Sequence, residues 1–181
     1  MTLFINKSNI ITTTIATVLA VFALSAQASE ADNFKGLTAE QALEKSHQYH
    51  GKGTASVQVM PNVLVAKFSD GSQVQIPTKD KHLLSIAPYE NQTHPCGYHV
   101  PTGCQGEMVE KTMMIKVVDL DSKQVLKYGQ VTTQKDGFID LWMPKDRKHL
   151  QVTFTYQGKA STEVLSTVDD ARTCITTMQL I

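Results

Sequence analysis

The chain of 181 residues carries 17 Lys and Arg against 17 Asp and Glu, a formal charge of zero, and 41% of it is hydrophobic. Balanced charge with no basic stripe removes the phosphate-neutralising surface that nucleic-acid binding requires, and no acidic or polybasic tail suggests another charge-driven partner. The size suits one ordinary core or two small ones packed together.

At the N-terminus, Lys7 precedes an apolar run over residues 10–24, and Ala26, Gln27 and Ala28 form the small-residue pattern that a signal peptidase reads. The run is short for a membrane span and rich in threonine (Thr12, Thr13, Thr14, Thr17). Residues 1–28 therefore read as a secretory signal peptide cleaved after Ala28. No cysteine follows within reach of a lipidation signal, so the expectation is an exported soluble protein with no membrane role.

Next in order, Thr38 reads as an N-cap with Gln41 completing a capping box, which predicts a helix from there to about His50. Gly51 supplies a left-handed stop and Gly53 a loose exit. Residues 55–60, 63–68 and 73–76 alternate or run apolar as strands do, with Asp70-Gly71 as a type I′ hairpin signal between the last two. The stretch 86–104 carries Pro88, Pro95, Gly97, Pro101 and Gly103, too much punctuation for regular structure. Strands then follow over 113–118, 124–133, 138–143, 150–156, 163–167 and 173–180, separated by breaks such as Asp136-Gly137 and Gln157-Gly158. The predicted fold class is α+β: an N-terminal helix-plus-strands region over 29–87, followed by an antiparallel β-sandwich-like domain over 88–181.

The chemistry concentrates in the cysteines. An exported protein favours paired thiols, and this chain has three, so at least one has no partner within it. Cys96 and Cys104 share one loop with His94 and His99, while Cys174 lies far off in sequence. If the last strand runs beside the base of that loop, three sulfurs converge into a soft, anionic pocket, which suits Cu(I). Zinc competes, since three cysteines with His94 or His99 complete a tetrahedral set, although seven residues between Cys96 and Cys104 is wider than the usual zinc-ribbon spacing. The plain alternative is a loop stapled by a disulfide between Cys96 and Cys104.

The segment Cys96-Gly97-Tyr98-His99-Val100-Pro101-Thr102-Gly103-Cys104-Gln105-Gly106-Glu107, with Cys174 in Thr173-Cys174-Ile175-Thr176-Thr177-Met178, resembles the periplasmic copper-resistance protein CueP family. The similarity extends over the mature chain. It implies a periplasmic protein of Gram-negative bacteria that binds copper, supplies it to a periplasmic Cu/Zn superoxide dismutase and limits copper toxicity. The family's three cysteines fall on Cys96, Cys104 and Cys174. The resemblance further implies a homodimer formed through the N-terminal part, with the copper site in the β part.

Other residues compete less well. His47 and His50, three apart, can chelate a metal, yet their cationic forms also suit a helix C-terminus, which is the better reading. Met113 and Met114 are adjacent on a strand and face opposite ways, so core packing explains them better than copper does. Met178 shares a strand face with Cys174 but lies far along it. Asn91-Gln92-Thr93 matches a glycosylation acceptor only in a eukaryotic route, and no nucleophile elbow supports a hydrolase.

Three functions follow for testing. The first is a Cu(I) carrier, which needs reduced thiols and hence, in an oxidising periplasm that drives Cys96 and Cys104 toward a disulfide, a thiol reductant of the disulfide-isomerase type. The second is a thiol-dependent Cu(II) reductase, in which two thiols each give one electron and end as a disulfide. The third is a structural β-module with one stapled loop.

Overall fold

The computed structural model describes residues 28–181, so the signal peptide expected over 1–28 falls outside the described residues save for Ala28. A 3-10 turn, Glu30–Phe34, leads to helix α1, Ala39–Ser46. Thr38 caps it as expected: its hydroxyl accepts the Gln41 N–H while the Gln41 side chain accepts the Thr38 N–H, which satisfies two exposed donors. A further 3-10 turn, His47–Tyr49, closes the helix, and Gly51 at φ +68° carries the chain out. Among the described residues no helix is long and apolar enough to cross a membrane.

Strands β1 (Ala55–Val59), β2 (Val63–Phe68) and β3 (Gln73–Pro77) form an antiparallel meander. Val57, Val59, Leu64, Ala66 and Ile76 are buried by the two-residue period and cluster with Phe34, Ala39, Ala42 and Leu43. The turn between β2 and β3 departs from type I′. Gly71 takes φ +82°, but Asp70 has no positive φ; its carboxylate instead accepts the Ser72 N–H at 2.8 Å and the Glu30 N–H at 2.9 Å. An Asx turn replaces the second left-handed residue.

Strand β4 (Lys81–Ile86) has no counterpart among the expected strands. It is buried at every position but its first, so it lacks the alternation that marks a half-exposed strand. Leu83 joins the core under α1, whereas Leu84 and Ile86 join the second core. Although β4 falls within the 29–87 segment, its hydrogen-bonded neighbours are β7 (Ile139–Pro144), antiparallel, and β10 (Cys174–Ile175), parallel.

The second core is the expected sandwich. Strands β5 (Thr112–Asp119), β6 (Val125–Thr132), β8 (Leu150–Tyr156) and β9 (Lys159–Leu165) form an antiparallel sheet in the order β6-β5-β8-β9. Its Ile115, Val117, Val152 and Phe154 pack with Leu84, Ile86, Ile139 and Leu141 of the middle sheet. Met113 and Met178 belong to this core, and Met114 is less buried, as opposite strand faces require. The strand expected over 173–180 contracts to Cys174–Ile175. The Ala87 N–H donates to the Ile175 carbonyl at 2.9 Å, but the next donor, Tyr89, reaches the Met178 carbonyl at 3.1 Å and bridges Gln179, so the parallel register slips by one residue and regular pairing ends.

A buried polar network fixes the end of α1 to this framework. The His47 Nε2 lies 3.1 Å from Asp140 on β7, and its Nδ1 lies 3.5 Å from Asp136. Asp140 also accepts the Ser85 hydroxyl at 2.6 Å and the Gln134 side-chain N–H at 2.8 Å. Burial alone would lower the His47 pKa, but Asp136 and Asp140 overcome it and raise the imidazole to about 9. His47 is thus a cation held between two carboxylates at neutral pH. A raised folded pKa gives stability that is full below the unfolded value near 6.5 and fades as pH rises through about 9. Denaturant titrations from pH 6 to pH 10 should therefore show wild type losing on the order of 2 kcal/mol, allowing for partial solvent screening, that His47→Gln does not lose. Parallel pH profiles for the two proteins would contradict the pairing.

Candidate metal centre

The loop from His94 to Glu107 is irregular, yet each part of it is tied down. Val59 of β1 donates its N–H to the His99 carbonyl at 2.8 Å. Buried Thr173, just before β10, accepts the His99 N–H at 3.0 Å and donates its hydroxyl to the Val59 carbonyl at 2.5 Å. The Thr173 and Cys174 N–H groups both donate to the Gly97 carbonyl, at 3.1 and 3.2 Å. At the far side, Thr102 accepts the Val57 N–H at 3.1 Å, and the Gly103 and Cys104 N–H groups fold back on the Val100 carbonyl. Thr176 donates its hydroxyl to the His94 carbonyl at 2.6 Å.

Beneath the loop, Gly106 and Gly137 meet backbone to backbone. A Cβ on Gly137 would lie 2.7 Å from the Gly106 oxygen, and Gly137 itself sits at φ +80°. Only glycine allows this approach. The Gly106 N–H donates to the Asp136 carbonyl at 2.6 Å, so the turn that carries His47's partner also supports Cys104. Phe138, one residue on, lays its ring against His99 with centroids 4.7 Å apart.

These anchors bring the three sulfurs together, and the last strand runs beside the base of the loop, which meets the condition for their convergence. The pairing differs from the expected staple. Cys96 is joined to Cys174 by a disulfide, and Cys104 is the free thiol, 3.8 Å from Cys96 Sγ. The two bonds into the Gly97 carbonyl explain the difference, since they hold Cys174 against the residue next to Cys96. Cys104 meanwhile is drawn toward Val100, whose N–H donates to its sulfur at 3.4 Å.

Among the described residues, two groups of three donors have their ligand atoms within 4.8 Å of one another: His94, Cys96 and Cys104, partly exposed, and His99, Cys104 and Cys174, the deeper set. Cys104 belongs to both. His99 is fully buried, and neither ring nitrogen has a hydrogen-bond partner. Burial pushes its pKa down to about 4 despite Asp140 and Asp136 nearby, so it is a neutral imidazole at pH 7 with lone-pair capacity facing sulfur. Burial pushes the Cys104 thiol above its usual range, and Asp136 adds to that, while the Val100 N–H opposes them. An orphaned imidazole costs about 1–3 kcal/mol per unmet polar group. A soft cation between sulfur and imidazole is an occupant that offsets this cost and draws the thiol proton off.

The remaining histidines are engaged elsewhere. His47 binds the two aspartates, and His50 contacts the Pro101 carbonyl at 3.0 Å and the Gln105 side chain at 3.2 Å. The cluster of His47 with Asp136 and Asp140 had no signal in the sequence, because its three members come from a helix end, a turn and a strand. His82, buried on β4, bonds the Arg172 carbonyl at 3.2 Å through Nε2. Glu107 accepts the Glu90 N–H at 2.7 Å and the Asn91 N–H at 3.0 Å, a structural clasp on the loop.

A family model described as periplasmic copper-binding protein CueP matches residues 40–179. The crystal structure of S.CueP superposes with a TM-score of 0.76 at 31% sequence identity, covering 86% of this chain and all of that one. No curated protein matches.

Replacing Thr173 with valine keeps the volume but strands the Val59 carbonyl and the His99 N–H, both buried. Denaturant unfolding should show Thr173→Val destabilised by about 2–6 kcal/mol, from two unmet groups at about 1–3 kcal/mol each. A loss under 1 kcal/mol, about what one ordinary hydrogen bond contributes, would show that the three segments meet without it.

Proposed function

Because this chain belongs to the CueP family of periplasmic copper-binding proteins, we propose that it sequesters Cu(I) in the periplasm, with Cys104, Cys174 and His99 as the inner donors and Cys96 and His94 at the outer side. The observation that carries this reading is His99, a neutral, fully buried imidazole with both nitrogens unpartnered beside two sulfurs. Thiolate and imidazole match a soft monovalent cation better than hard divalent ions, and zinc, which takes the same ligands, is the competing occupant. Since Cys96 and Cys174 are linked, the inner set offers one free sulfur until a two-electron reduction opens the disulfide. Copper uptake then follows thiol reduction, and burial of the ion shields it from peroxide.

A second reading has an observation of its own. A linked Cys96 and Cys174 beside a free thiol is the product expected when two thiolates reduce two Cu(II) ions, one electron each, and close as a disulfide. The two roles join in sequence: reduction of Cu(II) consumes two thiols, and the ion is retained only after those thiols are restored. Release by ligand exchange to a periplasmic Cu/Zn superoxide dismutase, restoration by a reductant of the disulfide-isomerase type, and homodimer formation through the 29–87 region complete the proposal on the strength of the family resemblance.

Anaerobic competition of the reduced protein with a colorimetric Cu(I) chelator tests the ligand set. Cys104→Ser and His99→Asn should each weaken retention by more than the roughly 10–100-fold that loss of an outer-shell partner costs. Wild-type retention in both variants, with circular dichroism unchanged, would remove Cu(I) from these residues.

A further inference from the structure

The two sulfurs of the disulfide are not equally reachable. Cys174 is fully buried under the loop and Phe138, whereas Cys96 is partly exposed. Cys96 also lines a cavity of about 400 Å³ whose walls include His94, Pro95, Arg172, Thr176 and Thr177. Neither Cys104 nor Cys174 lines it. The volume falls in the range of small-molecule sites, and Arg172, nearly half exposed, sets a guanidinium at one wall, where it pairs with Glu163 at 3.3 Å and keeps further N–H donors. Thiol–disulfide exchange depends on which sulfur an attacking thiolate can reach.

We propose that this cavity is the binding site of a peptide thiol bearing a carboxylate, and that Cys96 is the sulfur through which such a thiol opens the disulfide. The incoming thiolate forms a bond to Cys96 Sγ, the bond between Cys96 and Cys174 breaks, and Cys174 leaves as a thiolate that takes up the proton the attacking thiol gave away. A second thiol then attacks the ligand's sulfur in the adduct. It releases Cys96 as a thiol and leaves with the first as their own disulfide, so two electrons pass from two external thiols to the protein. Cys104, 3.8 Å from Cys96, competes for the adduct: attack by its thiolate expels the ligand and leaves a disulfide between Cys96 and Cys104, with Cys174 free. The deep sulfur is thus freed in either branch. This deepens the proposed function by adding a small-thiol route to the reduced site beside the protein reductant, but it concerns sulfur connectivity alone and stands or falls without copper.

The test uses the oxidised full chain carrying Cys104→Ser, which removes the internal competitor, with the link between Cys96 and Cys174 verified by peptide mapping. Metal-free protein is treated with reduced glutathione or, at equal thiolate concentration, with 2-mercaptoethanol, then quenched, alkylated and mapped by mass spectrometry. The expected result is a glutathione adduct on Cys96, alkylated Cys174, and adduct formation about tenfold faster than with 2-mercaptoethanol, since binding in the cavity raises the effective concentration of the peptide's thiolate at Cys96. Thr177→Trp, an exposed wall position, should erase that preference while the far-ultraviolet spectrum stays unchanged. An adduct on Cys174, a different starting linkage, or equal rates for the two thiols would overturn the proposal. Because no metal is present, failure here leaves the copper titrations unaffected, and failure of those leaves this mapping intact.

Discussion

The hydroxyl of Thr173 is the constraint on which the site depends. It donates to β1, accepts from the cysteine loop, and sits one residue before Cys174, while its own N–H reaches Gly97. Three segments far apart in sequence are thereby fixed at one buried point, and nearly every polar group there is paired. Pairing at such a point specifies one arrangement, because any slip of β10 along β4 would leave the Val59 carbonyl and the His99 N–H without partners in an apolar setting. The sulfurs lie close because this arrangement leaves them no alternative.

The same constraint accounts for the unpaired ring of His99. The His99 backbone is fully engaged, with its N–H on Thr173 and its carbonyl on Val59, so its ring is held in place against Phe138 and cannot swing out to water. A structural disulfide module has no use for such a ring, whose desolvation lowers stability. A site for a soft cation does. Neighbouring His47 does the opposite work, as a cation held between carboxylates that does not engage the sulfurs.

Much of the fold was legible in residue pattern. Thr38 and Gln41 announced the helix because a capping box is local, and the half-exposed strands β1, β2, β5 and β8 announced themselves by alternation. Strand β4 did not, since packing Leu83 into one core and Leu84 into the other erases the alternation on which a strand is recognised. The contraction of the last strand turned on a one-residue slip in its pairing with the chain after β4, which belongs to tertiary structure. At the site, the clustering of thiols and imidazoles marked the loop, the softness of sulfur favoured Cu(I) over zinc, and the family resemblance pointed to copper as well. The partner of Cys96 was not legible, because proximity in sequence favours Cys104 while the hydrogen bonds into Gly97 bring up Cys174, and those bonds belong to tertiary structure.

If the disulfide between Cys96 and Cys174 gates copper, the metal must tell the two redox forms of the protein apart. Anaerobic Cu(I) competition titrations of the fully reduced protein and of the protein with that disulfide intact, run side by side, decide the matter. The expected result is one tightly held Cu(I) in the reduced protein and loss of that retention in the oxidised one. Equal retention by both forms would contradict the gate, since the deep sulfur would then play no part in holding the ion.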